Sequence, residues 1–308
     1  MRNNLVKTIC EEAANNKNII FVTGDLGYNV LNPFYERFPD RFINAGISEQ
    51  NMTSVAAGLA LSGKCVFTYS IGSFSTLRCI EQIRNDICYH NANVKVVALA
   101  AGFAYGQLGM SHHATEDIAC MRSLPNITVF SPCDPYETVA ITKEAIKLNT
   151  PCYIRLGRGG EPNLWSEYHP IKIGKAYEMF HGKDIIIFGT GSIVKEAINA
   201  INELKKSNID VGLATFPTIK PIDKEYVTKC SKEYAVIISL EEHNIVGGFG
   251  SAVAEVLSEI QEKHAVLKRI GLKDEFTSIV GDTEYLRHYY HMDSSELIKV
   301  IMEYYENN

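Results

Sequence analysis

Three short stretches put acids, bases and aromatics where chemistry can happen. In FPDRFINAGISEQNMTSVAAGLALSG (38–63), Asp40 and Arg41 mark a loop and FINAGI reads as a short strand. Ser48 is placed to cap a helix over 48–62. Glu49 stands at that helix start, followed by small and apolar residues. Two readings are open. Glu49 is either a carboxylate stabilised by the helix macrodipole, or a partly buried acid whose proton is held by desolvation and exchanged with a basic ring nitrogen. In TYSIGSFSTLRCIEQIRND (68–86), Phe74 lies just past a strand end. It is either a core residue or a ring offered beside a cleft to a heteroaromatic cofactor. Arg78, Glu81 and Arg84 follow at helical spacing, as a solvated or interfacial face would.

The third stretch, AGFAYGQLGMSHHATEDIACMRSLPN (101–126), leads through a Gly-, Tyr- and Gln-containing loop into Ser111, His112 and His113. Paired histidines after a strand suit a metal by type, but no spaced third ligand follows. A histidine acting on a hydroxyl or carbonyl is the better functional reading, with chance loop histidines as the plain one. In CYIRLGRGG, Arg155 and Arg158 are each able to anchor an anion or simply to lie at the surface. Two Gly-rich helix starts offer amides to a phosphate. GTGS (189–192) fails the GxGxxG pattern at Val194, so a tight turn with Ser192 as helix cap is the plainer reading. GGFGSAVAE (247–255) reads as a turn packed at a subunit contact. No GxxxxGK[ST] motif occurs.

The elements that must position these residues are legible as alternating strands and helices. Strand-length apolar runs occur at 18–25, 64–70, 94–101, 127–132 and 152–157, then at 184–191, 210–216, 234–243 and 266–272. Continuous Val/Ile-rich runs suit parallel strands buried on both faces. Helical periods lie at 48–62, 75–90, 136–148, 192–207, 249–262 and 294–306. The pattern predicts an α/β protein with two open, mostly parallel, doubly wound sheets. The Gly- and Pro-rich stretch 157–183 reads as a linker with a short hairpin. In such sheets ligands sit beyond the carboxyl ends of the strands, which is where the three stretches fall.

The chain has 308 residues, enough for two domains. With 30 basic against 36 acidic residues the net charge is −6, which argues against non-specific nucleic-acid binding. No long apolar run predicts a membrane span, and the N-terminus does not read as a signal peptide. Eight cysteines without a CxxC pair read as reduced thiols of a cytoplasmic protein.

Taken in order, these segments resemble the C-terminal half of transketolase and its relatives. GDLGYN, FPDRFINAGISEQNM, AAGLALSG, SHHATEDIACMRSLPN, IRLGRG, IKPID and SLEEHNIVGGFGSAVAE carry the resemblance over nearly the whole chain. It implies a thiamine-diphosphate pyrimidine-binding domain at 1–160, a linker at 161–180 and a transketolase C-terminal domain at 181–308. Relatives hold the cofactor between the pyrimidine domain of one chain and a diphosphate domain of another, which carries a GDG…N motif for a divalent metal. This sequence has GDL at 24–26 and no such motif. The resemblance therefore implies one half of a split transketolase, with a separate N-terminal subunit holding the diphosphate and its Mg or Ca ion. It implies a homodimer alone and a two-plus-two heterotetramer with the partner.

Residue by residue, Glu49 matches the glutamate that contacts the aminopyrimidine. Its role would be to stabilise the imino tautomer that removes the thiazolium proton, ahead of attack on a ketose carbonyl. Phe74 matches an aromatic packed on the pyrimidine, with Ile71 and Leu77 in neighbouring pocket positions. Asp25 matches an acid near the cofactor. Asn29 falls where relatives place a polar substrate contact. His112 matches a histidine that touches donor hydroxyl or carbonyl groups, and Arg158 an arginine that binds the substrate's phosphate or acid end. Two positions depart. Leu108 stands where many relatives carry Asp, and Ala100 near where sugar transketolases carry a further histidine. The implied activity is two-carbon ketol transfer between sugars, with a modified sugar or one lacking some hydroxyls or the phosphate expected. The competing readings are a deoxyxylulose-phosphate-synthase-like carboligase, a 2-oxo-acid dehydrogenase beta subunit, and a non-enzymatic partner subunit.

Overall fold

The continuous apolar runs form parallel strands whose side chains feed two cores at once. The computed structural model describes residues 1–306. Over these residues the first half contributes β1 (Ile19–Thr23), β2 (Phe42–Asn44), β3 (Cys65–Ile71), β4 (Val94–Leu99), β5 (Thr128–Phe130) and β6 (Cys152–Arg155). They are mutually parallel in the order β2-β1-β3-β4-β6-β5. Along β1, Ile20 and Val22 enter one core while Ile19 and Phe21 enter the other. β4 divides the same way, with Val94, Val96 and Ala98 on one side and Val97 and Leu99 on the other. A period of two therefore hides inside an unbroken apolar run, because both faces are covered.

The second half contributes β7 (Tyr177–Phe180), β8 (Ile185–Gly189), β9 (Val211–Thr215), β10 (Thr218–Lys220), β11 (Val236–Asn244) and β12 (Val266–Leu272). Five of them form a second sheet in the order β12-β11-β8-β9-β7, with β7 antiparallel at its edge. β10 leaves that sheet and pairs antiparallel with β5, so the second half closes the edge of the first sheet. One core runs continuously from Val129 and Ile219 to Phe188 and Phe216, across both halves.

Three local expectations are corrected. The segment 157–183 holds no hairpin, and the expected linker 161–180 ends in a strand. Tyr177–Phe180 runs as β7 along β9, because Met179 and Phe180 pack on the second-sheet core. The expected helix 75–90 is broken into Gly72–Thr76, Ile80–Gln82 and a π-turn at Ile83–Cys88. The Ser75 and Thr76 hydroxyls donate to the carbonyls of Ile71 and Gly72, which competes with helix continuation. Neither expected serine cap forms. The Ser48 hydroxyl donates to Ala45 O, and Ser192 lies before the helix Val194–Lys205, accepting from Arg287. Among the described residues no helix is long and apolar enough to cross a membrane.

Candidate functional site

Because β1, β2, β3, β4 and β6 are parallel, their carboxyl ends share one edge. Asp25 follows β1, Glu49 follows β2, Phe74 follows β3, His112 lies in the loop after β4, and Arg158 follows β6. Sequence positions spread over more than a hundred residues thus meet on one rim.

The tightest group on that rim is centred on Glu49, which opens the helix Glu49–Leu61 and is only 3% exposed. The Arg78 guanidinium donates to Glu49 Oε2 at 2.8 Å. The same guanidinium lies 4.6 Å from the centre of the Phe74 ring. Phe74 in turn meets the His112 ring edge-on at 5.1 Å. Ser111 Oγ is 3.0 Å from His112 Nδ1, and Ser73 donates to Ser111 O. Phe74 and Ile71 are half-buried, and Leu77 is exposed beside them. The result is a buried carboxylate with a polarisable ring, an imidazole and apolar side chains in line. Such a set fits a flat, nitrogen-containing heterocycle. Arg78 is the member that sequence reasoning left on a solvated or interfacial face. Its spacing of four from Phe74 was the available signal. Glu81 and Arg84 do lie outward, bonded to Gln82 and Asn85.

Asp25 and Asn29 belong to a neighbouring turn rather than to this group. Asp25 has a left-handed φ of 58° and Asn29 one of 63°. Asn44 holds Asp25 from both ends, donating to Oδ1 at 2.8 Å and accepting from the Asp25 amide at 3.0 Å. Asp25, Tyr28, Tyr35 and Asn44 line a cavity of about 290 Å³. Neither Asp25 nor Asn29 bonds to the Glu49 group. The link is Gly24, where a Cβ would lie 3.7 Å from Glu49 Cγ.

Arg155 and Arg158 have opposite fates. Arg158 is exposed, with its guanidinium 5.5 Å from the Tyr105 ring centre. With Tyr105 and Leu108 it lines a cavity of about 180 Å³ whose far wall is Gly281–Thr283. Arg155 is not an anion anchor. It is buried, donates to Asp117 Oδ2 at 2.7 Å, and donates to the carbonyls of Ala114 and Glu242 at 2.9 Å each. The Arg155 guanidinium and neighbouring donors hold Asp117 below the ordinary carboxylate range against the cost of burial. The two departures also separate. Leu108 faces the Arg158 cavity and is 56% exposed, whereas Ala100 is fully buried in the core with φ 60°.

The paired histidines diverge, which removes the metal reading for them. His112 turns to Phe74, while His113 is buried with Nδ1 2.7 Å from Thr277 Oγ1. Among the described residues no group of three or more His, Cys, Asp or Glu side chains is arranged to hold a metal.

The Gly-rich helix start at 247–255 is already filled. Phe249 N and Gly250 N, which open the helix Phe249–Ser258, donate to the Glu241 carboxylate at 2.5 and 2.8 Å. Burial pushes Glu241 up to about 7, although the two amides oppose it. Burial pulls His243 down to about 4, with Nδ1 donating to Asn244 O and Nε2 accepting from Ala119 N. Glu242 accepts from Phe103 N at 2.8 Å and pairs with Arg287. In the sequence these residues stand out only as part of a motif. Three ionisable groups inside the buried run IISLEEHN were the signal that they join the two halves.

Comparison with known proteins agrees with this architecture. Residues 1–161 match the transketolase pyrimidine-binding domain and residues 174–296 the transketolase C-terminal domain. The chain is 38% identical to a putative transketolase C-terminal section of Methanocaldococcus jannaschii, over 98% of this chain and 95% of that one. It is 37% identical to one subunit of an apulose-4-phosphate transketolase of Actinobacillus succinogenes, over 88% of this chain and 86% of that one. A solved structure described as a split-gene transketolase in an inactive beta4 tetramer superposes with TM-score 0.87 at 35% identity, covering 98% of this chain and 96% of that one. The chain therefore belongs to the transketolase family, as a C-terminal section that forms part of a split transferase.

Proposed function

We propose that this chain, with a separate N-terminal subunit, forms a thiamine-diphosphate-dependent transketolase acting on a modified ketose. The observation that carries the proposal is Glu49, a buried carboxylate at the rim, in line with Phe74 and His112. An aminopyrimidine requires a carboxyl group at one ring nitrogen and apolar faces for the ring. Glu49 would supply the first, and Phe74, Ile71 and Leu77 the second. Thiamine diphosphate, when bound, supplies the carbon nucleophile that the protein's own side chains lack.

Within this chain Glu49 would hold a proton at the pyrimidine ring nitrogen. Arg78 engages only Oε2 of Glu49, so Oε1 would be left for that contact while the ion pair holds, and release of Arg78 would free both oxygens. Asp25 would stand near the cofactor. His112 would contact donor hydroxyl or carbonyl oxygens, Asn29 would add a polar contact, and Arg158 would hold the acid or phosphate end. The diphosphate and its Mg or Ca ion would lie on the N-terminal subunit. The proposed assembly is a homodimer of this chain alone and a two-plus-two heterotetramer with that subunit. Exposed Leu108 beside Arg158 supports a donor that differs from an ordinary pentulose phosphate near this point.

The test is to co-purify the chain with its N-terminal subunit and assay xylulose 5-phosphate, apulose 4-phosphate, the unphosphorylated ketose erythrulose, and pyruvate. Two-carbon transfer from at least one ketose is expected, with none from either subunit alone. Arg158→Ala should raise KM for a phosphorylated donor about tenfold while leaving erythrulose nearly unchanged. Turnover of pyruvate alone would replace this reading with a carboligase. Robust transfer by this chain without a second subunit would defeat the split arrangement.

A further inference from the structure

The loop that carries Leu108 and His112 is built by the first half of the chain but gripped by the second. Gly102 and Ala114 exchange backbone hydrogen bonds of 3.0 and 3.1 Å, which tie off residues 103–113 as a closed loop. Its inner side rests on residues 277–290. Thr283 Oγ1 donates to Phe103 O at 3.2 Å, and Gly281 N donates to Gly106 O at 3.4 Å. The Phe103 ring lies 5.7 Å from Tyr290. Gly106 sits so close that a Cβ would meet Gly281 O and Leu286 Cδ1 at 2.4 Å.

The most specific of these contacts is His113 with Thr277. His113 is 2% exposed, and burial lowers its pKa, which favours the neutral ring. A neutral imidazole has one donor and one acceptor nitrogen. Nε2 faces Gly106 O at 3.4 Å, a carbonyl that only accepts, so Nε2 carries the proton. Nδ1 must then accept, and the Thr277 hydroxyl donates to it at 2.7 Å. His113 adjoins His112 in the chain, so its ring fixes the backbone from which His112 reaches Phe74.

We propose that Thr277 is a positioning residue that acts through His113 to fix the 103–113 loop, and so sets how tightly the site holds its ketose donor. The proposal rests on the reading of His112 and Arg158 as substrate contacts. It gives the second domain a part in donor binding without contact to the reacting atoms.

The test uses the two assembled subunits and whichever of xylulose 5-phosphate, apulose 4-phosphate or erythrulose gives the highest kcat/KM in the wild type. Thr277→Val keeps the shape and removes the donor. It should raise KM for that ketose roughly 3- to 10-fold, with kcat and thiamine diphosphate affinity within about twofold of wild type. Thr277→Ser restores a donating hydroxyl and should return KM to near the wild-type value. Gly106→Ala, which must push the loop off Gly281, should move KM in the same direction as Thr277→Val. Hydrogen–deuterium exchange of amides 103–113 reads the clamp without substrate and should quicken in Thr277→Val. Unchanged loop exchange, an unchanged KM, or a KM defect that serine does not rescue would overturn the proposal. Quickened exchange in an assembly whose wild type transfers nothing from any ketose would instead overturn the substrate reading beneath it.

Discussion

Two buried glutamates stand beside two helix starts, and they are held in different ways. Glu241 has both oxygens bonded to the opening amides of Phe249–Ser258 and no exposure. Glu49 opens its own helix, makes no cap, and meets a half-exposed arginine from the turn after Gly72–Thr76. Burial is nearly the same at the two sites, so burial does not mark function. What differs is whether the carboxyl group's partners can leave. Backbone amides cannot vacate Glu241 without unwinding a helix. Arg78 is half exposed and can leave Glu49 by side-chain rotation alone, which would open the carboxyl group to an incoming ring nitrogen.

The largest effect should come from removing the acid at the open site. Glu49→Gln keeps size and burial but loses the titratable proton. In the assembled enzyme, turnover should fall by ~10²-fold or more. Deuterium exchange at the cofactor's thiazolium carbon should slow in step, while the melting temperature stays within a few degrees. Unchanged exchange would reduce Glu49 to a helix-start carboxylate and erase the contrast with Glu241.

Glu241→Gln should do the reverse, changing stability and leaving chemistry alone. Glu241 is raised from 4.5 to about 7, so its folded site prefers the protonated form. Its contribution is complete below the unfolded pKa near 4.3 and is lost as pH rises through about 7, on the order of 3 kcal/mol in total. His243, lowered to about 4, has the opposite sign. Its contribution is present above pH ~6.5 and is lost as pH falls through about 4. Between pH ~4.5 and ~6.5 the two slopes oppose one another. Glu241→Gln should remove the alkaline loss and expose the acid loss. Urea unfolding from pH 4 to 8 measures both, and a profile that matches wild type would mean that Glu241 does not titrate in this range.

How much of this was legible follows from what each signal depends on. Parallel strands were readable because covering both faces forces unbroken apolar runs, as in VKVVAL of β4. Glu49, Phe74 and His112 were picked out by ordered motifs, and the fold brings those three near one another through Arg78. β10 was not readable, because three residues that pair with a distant strand carry no local period. Arg155 was misread as a twin of Arg158. Its meaning depends on Asp117 and on the Glu242 carbonyl, which reach it only after the two halves meet. Thr277 was invisible for the same reason, since nothing near TSIVGD points to a histidine more than 160 positions earlier.

The smallest expected effect tests the outer end of the rim, where the comparison turns from burial to exposure. Leu108 is more than half exposed and shares the Arg158 cavity with Tyr105 and Asp282. Asp282 caps the helix Thr283–Tyr289, accepting from Tyr285 N through Oδ1. A donor hydroxyl beside Leu108 gains no partner from that side chain, and in a buried site such a loss costs roughly 1–3 kcal/mol. Exposure at position 108 lets water answer part of the loss, so a change at the lower end is expected. Leu108→Asp should shift the ratio of kcat/KM values toward xylulose 5-phosphate and away from apulose 4-phosphate by roughly 3- to 10-fold. Its melting temperature should hardly move, because the side chain packs little. The competing effect is a new attraction between the introduced carboxylate and Arg158, which would weaken the grip on every phosphorylated donor alike. Competition assays with both ketoses separate the two. A changed ratio supports hydroxyl recognition at position 108. An equal loss for both donors would mean that this position acts only through Arg158, and that donor choice is made elsewhere on the rim.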